Sequence, residues 1–311
     1  MIIAVDAMGG DFAPKSVVEG AREALDLLPT NDFIVLIGNQ IQINELLGQD
    51  QNHPKLRIVD ASEIIEMGEH PTKALSQKPN SSISIGFKML KNHEIDVFCS
   101  AGNTGAMMVG SMFSVKVIEG IQRPAIVGFA PKVNGGKVVI LDIGANADCK
   151  PEMLEQFGEL GSIYATATQG IEKPRVALMN IGEEEQKGTL VAQAAYQLLK
   201  DNKTINFVGN VEGKDLFLDK ADVIVCDGFT GNVILKMGES MYEILANQGI
   251  SNAFLMQANY EETGGSPIIG INENVIIGHG ASTPKAIKNM ILLAHKLVAS
   301  EVTNKIKLAY V

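Results

Sequence analysis

Cys99-Ser100-Ala101-Gly102-Asn103-Thr104-Gly105-Ala106 follows an apolar, strand-like run at residues 95–98 and opens a helical run at residues 107–117. A turn of small residues between a strand and a helix exposes backbone N–H groups at the positive end of the helix. That geometry suits an anion, or a carbonyl oxygen that becomes negative during reaction. Gly102 and Gly105 let the backbone come close to a ligand, while Asn103 and Thr104 add side-chain hydrogen bonds or cap the helix. An ordinary capped turn has the same local signature, so the reading depends on whether the pattern recurs.

It recurs along the whole chain. Strand patterns at residues 2–5, 33–37, 56–59, 96–99, 125–129, 138–141, 176–179, 205–208, 223–226 and 275–277 alternate with helical ones. The helical patterns cover residues 14–28, 82–92, 103–118, 151–168, 190–199, 232–246 and 284–300. Such alternation predicts βαβ units and an α/β fold with a mainly parallel, doubly wound sheet. The strand ends then carry Asp6-Ala7-Met8-Gly9-Gly10-Asp11, Asp142-Ile143-Gly144-Ala145-Asn146, Asn180-Ile181-Gly182, Gly209-Asn210, Asp227-Gly228-Phe229-Thr230-Gly231-Asn232 and Gly278-His279-Gly280. In open α/β sheets ligands bind outside the carboxyl ends of the strands. So many glycine turns on one edge point to a polar cleft built from backbone. No repeat or Pro/Gly/Ser linker marks a boundary, so residues 1–311 read as a single catalytic unit, two-lobed at most.

Composition narrows the class. The chain has 311 residues, 46% of them hydrophobic, which is enough for a sizeable core. A net charge of −10 argues against nucleic acid and anionic membranes as partners. Cys99, Cys149 and Cys226 form no CxxC, and the N-terminus reads as a strand rather than a leader, so a reducing cytoplasm is expected. No apolar run reaches the roughly 18 residues of a membrane span.

Several chemistries lack their signatures. There is no G-x-G-x-x-G in the first βα turn, no G-x-S-x-G elbow, no HExxH and no Cys/His metal spacing. The run at residues 182–189 resembles a P-loop with Lys187 and Gly188 transposed and three acids where phosphates would sit, so that reading is rejected. Arginine occurs only as Arg22, Arg57, Arg123 and Arg175, outside the glycine turns, which argues against a hydroxy-diacid dehydrogenase. Helix N-termini could hold a small anion instead, with Lys73, Lys187 and Lys236 as point charges.

These turns closely resemble the PlsX family, the phosphate acyltransferases of bacterial phospholipid synthesis. The motifs that carry the resemblance are Ala4-Val5-Asp6-Ala7-Met8-Gly9-Gly10-Asp11, Ser100-Ala101-Gly102-Asn103-Thr104-Gly105-Ala106, Asp142-Ile143-Gly144-Ala145-Asn146, Phe207-Val208-Gly209-Asn210-Val211-Glu212, Asp227-Gly228-Phe229-Thr230-Gly231-Asn232-Val233 and Gly264-Gly265. The resemblance implies a fold similar to the isocitrate and isopropylmalate dehydrogenases. It also implies transfer of a fatty acyl group from acyl carrier protein to inorganic phosphate, and a homodimer; no cofactor is expected, and the residues offer no metal-ligand motif. A thiolate with a pKa of about 8.5 leaves easily and phosphate is already ionised, so such chemistry needs positioning and oxyanion stabilisation more than a triad.

Expected roles follow. His279, Lys187 and Asn103 are the catalytic candidates, His279 as donor to the departing sulfur and Lys187 as charge for phosphate. Ser100, Gly102, Thr104, Gly105, Asp142, Asn146, Asn180, Asp227, Asn232 and Lys236 are the substrate-binding candidates. Two stretches depart from the family pattern. Residues 69–82 keep only Lys73 and Lys78 as basic groups, and residues 241–260 are short and contain no Lys or Arg, so membrane contact is expected to be weak or transient. Lys285, Lys288 and Lys296 fall near one helical face that could receive an acidic carrier protein. Two rival readings stay open: a short-chain phosphate acetyl- or butyryltransferase using coenzyme A, and a non-catalytic acyl-carrier or phosphate-binding module.

Overall fold

Short runs of Val, Ile and Leu without alternation build strands covered on both faces, the mark of parallel sheets flanked by helices. The computed structural model describes residues 1–310. Up to Val117 the chain gives β1 (Ile2–Asp6), α1 (Lys15–Leu25), β2 (Phe33–Gly38), α2 (Gln40–Leu47), β3 (Leu56–Asp60), α3 (Pro71–Gln77), α4 (Ser82–Lys91), β4 (Val97–Ser100) and α5 (Thr104–Gly110). It continues through β5 (Ala125–Ile126), β6 (Gly128–Pro131), β7 (Lys137–Leu141), α6 (Pro151–Gln169), β8 (Arg175–Met179) and α7 (Leu190–Asp201). Next come β9 (Asn206–Val211), β10 (Val223–Val225), α8 (Gly228–Asn247) and α9 (Ala253–Ala258), then α10 (Tyr260–Thr263), β11 (Ser266–Ile269), β12 (Asn274–Ile277), α11 (Pro284–Ala299) and α12 (Val302–Ala309).

The chain divides into two compact units. The first holds Met1–Val117 with Tyr260–Ala299, and the second holds Ile118–Asn259 with the residues from Ser300 on. Each has its own sheet, so the expected α/β fold takes the form of two mainly parallel sheets. In the first unit the strand order is β3-β2-β1-β4-β12-β11, and only β11 runs antiparallel to its neighbour β12. In the second the order is β6-β7-β10-β8-β9, with β6 antiparallel to β7.

Register decides which turns become neighbours. Cys99 pairs with Val5 on one side and Ile276 on the other, so β1, β4 and β12 end side by side. In the second unit Val225 pairs with Leu141 and with Leu178, which aligns the ends of β7, β10 and β8. Helix α6 covers that second sheet through Phe157, Leu160 and Tyr164, all buried. Burial of a side chain the size of Phe157 contributes about 3 kcal/mol. Helix α11 buries Ile287, Met290, Ile291, Ala294 and Leu297, the face its periodicity predicts, and packs on α1.

Two helix boundaries differ most from the sequence expectation. The helix expected over residues 103–118 is α-helical only through Gly110 and widens into a π-turn at Ser111–Val115. The amide of Asn272 donates to the carbonyls of Val115, Lys116 and Val117, 3.2 Å each, and so captures groups that a continuing helix would have used. Helix α8 starts at Gly228 rather than residue 232, because Asp227 caps it by accepting from the Thr230 N–H at 2.7 Å. Among the described residues no helix is long and apolar enough to cross a membrane.

Candidate active site

In the first unit the turn after β4 is held from two sides. Below it, the buried Ser100 Oγ donates to Asp6 Oδ2 at 2.7 Å and accepts from the Gly102 N–H at 2.9 Å. Above it, Asn103 caps α5 by accepting from the Ala106 N–H at 2.9 Å, while its Nδ2 donates to the carbonyls of Glu66, Met67 and Glu69. Asn103 is therefore buried and its amide is committed to backbone, so it shapes the turn instead of reaching a ligand. Thr104 stands exposed at the first helical position.

The turns after β1 and β12 close on the same place. A Cβ on Gly9 would lie 2.4 Å from Asp6 Oδ2 and 2.7 Å from the Gly102 nitrogen, so only glycine allows the two turns to touch. Asp11 N–H donates to the Gly280 carbonyl at 2.8 Å, which brings the His279 turn alongside. His279 is half-buried and its ring lies 4.8 Å from that of Tyr260. Its Nδ1 accepts from the Ala281 N–H at 3.2 Å, so in the neutral ring the proton sits on Nε2. Ser100, Gly102, Asn103, Thr104, Gly105 and His279 are thus brought together in this unit.

The second unit repeats the device with other residues. Asp142 is fully buried. Its Oδ1 accepts from the N–H groups of Ile126, Gly144 and Ala145 at 3.0–3.2 Å, and its Oδ2 accepts from the Asn146 N–H at 2.7 Å and from its Nδ2 at 3.1 Å. Asn146 in turn accepts at its carbonyl from the Gly228 N–H at 2.7 Å, tying the turn after β7 to the start of α8. A Cβ on Gly231 would lie 2.0 Å from the Asp142 carbonyl oxygen. Asn232 is exposed beside Gly144, and Lys236 lies one turn further along α8, within 2.8 Å of Glu239.

Asn180 and Lys187 belong to one loop after β8. Asn180 Oδ1 accepts from the Ile181 N–H at 2.8 Å, and its Nδ2 donates to the Lys187 carbonyl at 3.1 Å. The Lys187 side chain is half-exposed, and its ammonium is 4.0 Å from Glu184. Asn103, Asp142, Asn146, Asn180 and Asp227 therefore bond mainly to backbone, some of it in their own turns and some in neighbouring segments such as residues 66–69, Pro124 and Ile126. Asp6 ends β1 and is not among the residues that the sequence marks for the site; an acid at the last position of the strand is the available signal.

Electrostatics disfavours thiol chemistry here. Burial pushes the Cys99 and Cys226 thiols up, and burial with the Asp142 charge pushes Cys149 up to about 12. Burial also pushes the Asp6 carboxyl above its ordinary range, against bonds from Ser100, Ser82, Met8 and Gly9 that pull it down. The expected lysine face of α11 is largely neutralised, since Lys285 pairs with Glu262 and Lys288 lies 3.5 Å from Glu23. Lys78 is tied to Glu69 at 2.6 Å and to the Ile64 carbonyl at 2.7 Å.

The chain matches the family model described as "Fatty acid synthesis protein" over residues 1–305. It is 45% identical to the phosphate acyltransferase of Dictyoglomus thermophilum, covering 98% of this chain and 96% of that one. It is 44% identical to the phosphate acyltransferase of Salinibacter ruber, over 99% and 97%. Among solved structures, a phosphotransacetylase from Streptococcus pyogenes aligns with a TM-score of 0.66 at 16% identity, covering 96% of this chain and 94% of that one. A branched-chain phosphotransacylase from Enterococcus faecalis aligns with a TM-score of 0.65 at 14% identity, over 96% and 99%. At those identities the likeness is one of fold.

Proposed function

Because the chain belongs to the fatty acid synthesis protein family and is a phosphate acyltransferase, we propose that its acyl donor is a fatty acyl thioester of acyl carrier protein and that phosphate attacks it directly. A phosphate oxygen bonds to the thioester carbonyl carbon, the C–S bond breaks, and the products are acyl phosphate and a free thiol. The observation that carries this reading is the make-up of the strand-end turns. They offer backbone, amide and hydroxyl groups, while the thiols are held protonated and Ser100 is buried against a carboxylate. Such a site positions and polarises without an acyl-enzyme. His279 donates from Nε2 toward the departing sulfur. Thr104, in the same unit as His279, positions phosphate, and Lys187, Lys236 and Asn232 are the charge and amide groups that the second unit offers to an anion. Asn103, Asp142, Asn146, Asn180 and Asp227 hold the turns in shape.

Release of thiol from acyl-acyl carrier protein only when phosphate is added, with acyl phosphate trapped by hydroxylamine, is the expected result. Equal turnover of short-chain acyl-coenzyme A would move the donor assignment to coenzyme A, and no release from either would remove the catalytic reading. In the same assay His279→Ala is expected to lower kcat about tenfold, a modest loss because a thiolate leaves readily. An unchanged kcat would take His279 out of the reaction.

The homodimer rests on α8. Phe229, Val233, Met237, Met241 and Ile244 recur at helical spacing, and each is about half exposed or more. A second copy covering this face predicts a dimer by sedimentation velocity and a monomer for Met237→Glu; a monomeric wild type would contradict it. A cytoplasmic location accords with three free cysteines.

A further inference from the structure

The carboxylate of Asp6 is fully buried at the end of β1, and no cation pairs with it among the described residues. Burying an ionised carboxylate without a counter-ion is costly, and a neutral side chain could hold a turn more cheaply. Asp142, its counterpart in the second unit, is surrounded by N–H donors alone and acts as a fixed cap. Asp6 differs: besides the N–H groups of Met8 and Gly9 it is bonded by two hydroxyls, Ser82 and Ser100.

Only one of those hydroxyls leads onward. The Ser100 hydroxyl donates its hydrogen bond to Asp6, which directs the Oγ lone pair at the Gly102 N–H and fixes the peptide that enters the turn. A charged acceptor strengthens that chain of hydrogen bonds beyond what a neutral one would supply. The carboxylate also lies against both glycine turns, since a Cβ on Gly102 would come within 3.2 Å of Asp6 Oδ2 and of Gly9 Cα.

We propose that Asp6, acting through Ser100, is a positioning residue that preorganises the turn at residues 100–105 for acyl transfer to phosphate. The proposal rests on the phosphate-acyltransferase reading and adds a residue to it. Preorganised groups act most strongly in the transition state, so their loss falls on kcat more than on KM.

The test uses the full chain with Asp6→Asn, Ser100→Ala and the double variant, in the phosphate-dependent thiol-release assay. Each single variant is expected to lose about tenfold in kcat, with KM for phosphate and for acyl donor held within about threefold. The double variant is expected to match the weaker single one, because both break the same chain of bonds. Asp6→Asn is expected to melt no lower than the wild type at neutral pH. Its amide can still accept from the backbone and donate to the rotatable Ser100 hydroxyl, and the buried charge is gone. A purely structural cap makes the opposite prediction, activity falling in step with melting temperature. Wild-type kcat in either single variant, losses that multiply in the double, or an Asp6→Asn chain that does not fold would each overturn the role. If the wild type itself releases no thiol with phosphate, the functional reading fails and takes this role with it. Active wild type with unaffected variants sinks the role of Asp6 alone.

Discussion

Asp142→Ala is expected to destabilise the protein by about 3–5 kcal/mol, because it strips a buried acceptor from several donors at once. The two carboxylate oxygens serve the N–H groups of Ile126, Gly144, Ala145 and Asn146 and the Asn146 amide, all within 3.2 Å. Asp142 is fully buried, so water cannot simply take its place. The Asn146 carbonyl receives the Gly228 N–H, so the damage spreads to the start of α8. Asp142→Asn keeps one acceptor oxygen but sets its own N–H group against that of Asn146, and about 2 kcal/mol is expected. Urea denaturation measures both values. Thiol release should fall at least about tenfold in the alanine variant, since the turn loses its shape. A midpoint shift below that of Asp142→Asn would show that the carboxylate does not organise the turn.

Asp222→Ala is expected to cost a similar amount, about 3–5 kcal/mol, for a different reason. Asp222 receives the Arg175 backbone N–H and Nε at 2.9 and 3.0 Å, and Lys132 Nζ at 2.7 Å. The Lys132 and Asp222 side chains are 8% and 9% exposed, so removing the acid leaves, among the described residues, a buried ammonium paired with the half-exposed Asp219 alone. Burial alone would raise the Asp222 carboxyl, but the bonds from Arg175 and Lys132 prevail and hold it well below the usual carboxylate range. Because the folded pKa is depressed, the stabilisation is complete above the unfolded value of about 3.9 and is lost as pH falls through the folded one. Wild-type stability should therefore decline below about pH 4, and the Asp222→Ala variant should lose less over the same acid limb. Thermal melts at pH 7 and pH 3 separate the outcomes; parallel declines in the two proteins would rule the clamp out as the acid-sensitive element.

Much of the chain was legible because its signals are local. Alternation of apolar strands with amphipathic helices, the glycine turns at strand ends and the apolar face of α11 all depend on residues a few positions apart. The acid ending β1 was also on view, but its pairing with Ser100 joins residues 94 positions apart and no local pattern announces it. The sequence likewise shows Asn103, Asn180 and Asp227 as polar groups in turns, without saying which way each faces. The structure aims them at backbone, because a chain that bends sharply between strand and helix leaves N–H and carbonyl groups without a partner in either element.

The turn after β4 shows where that division falls. From sequence alone it is a small-residue strand-to-helix turn, a property of residue types and spacing, in a chain whose motifs resemble the phosphate acyltransferases. Tertiary structure decided that its neighbours are the turns of Gly9 and His279, since strand order is non-local. It also decided that a buried carboxylate stands behind the turn, and that two of the lysines on α11 meet acids from other helices. Those outcomes follow from long-range packing, where burial and the need to satisfy every polar group choose among arrangements that local propensity leaves equal.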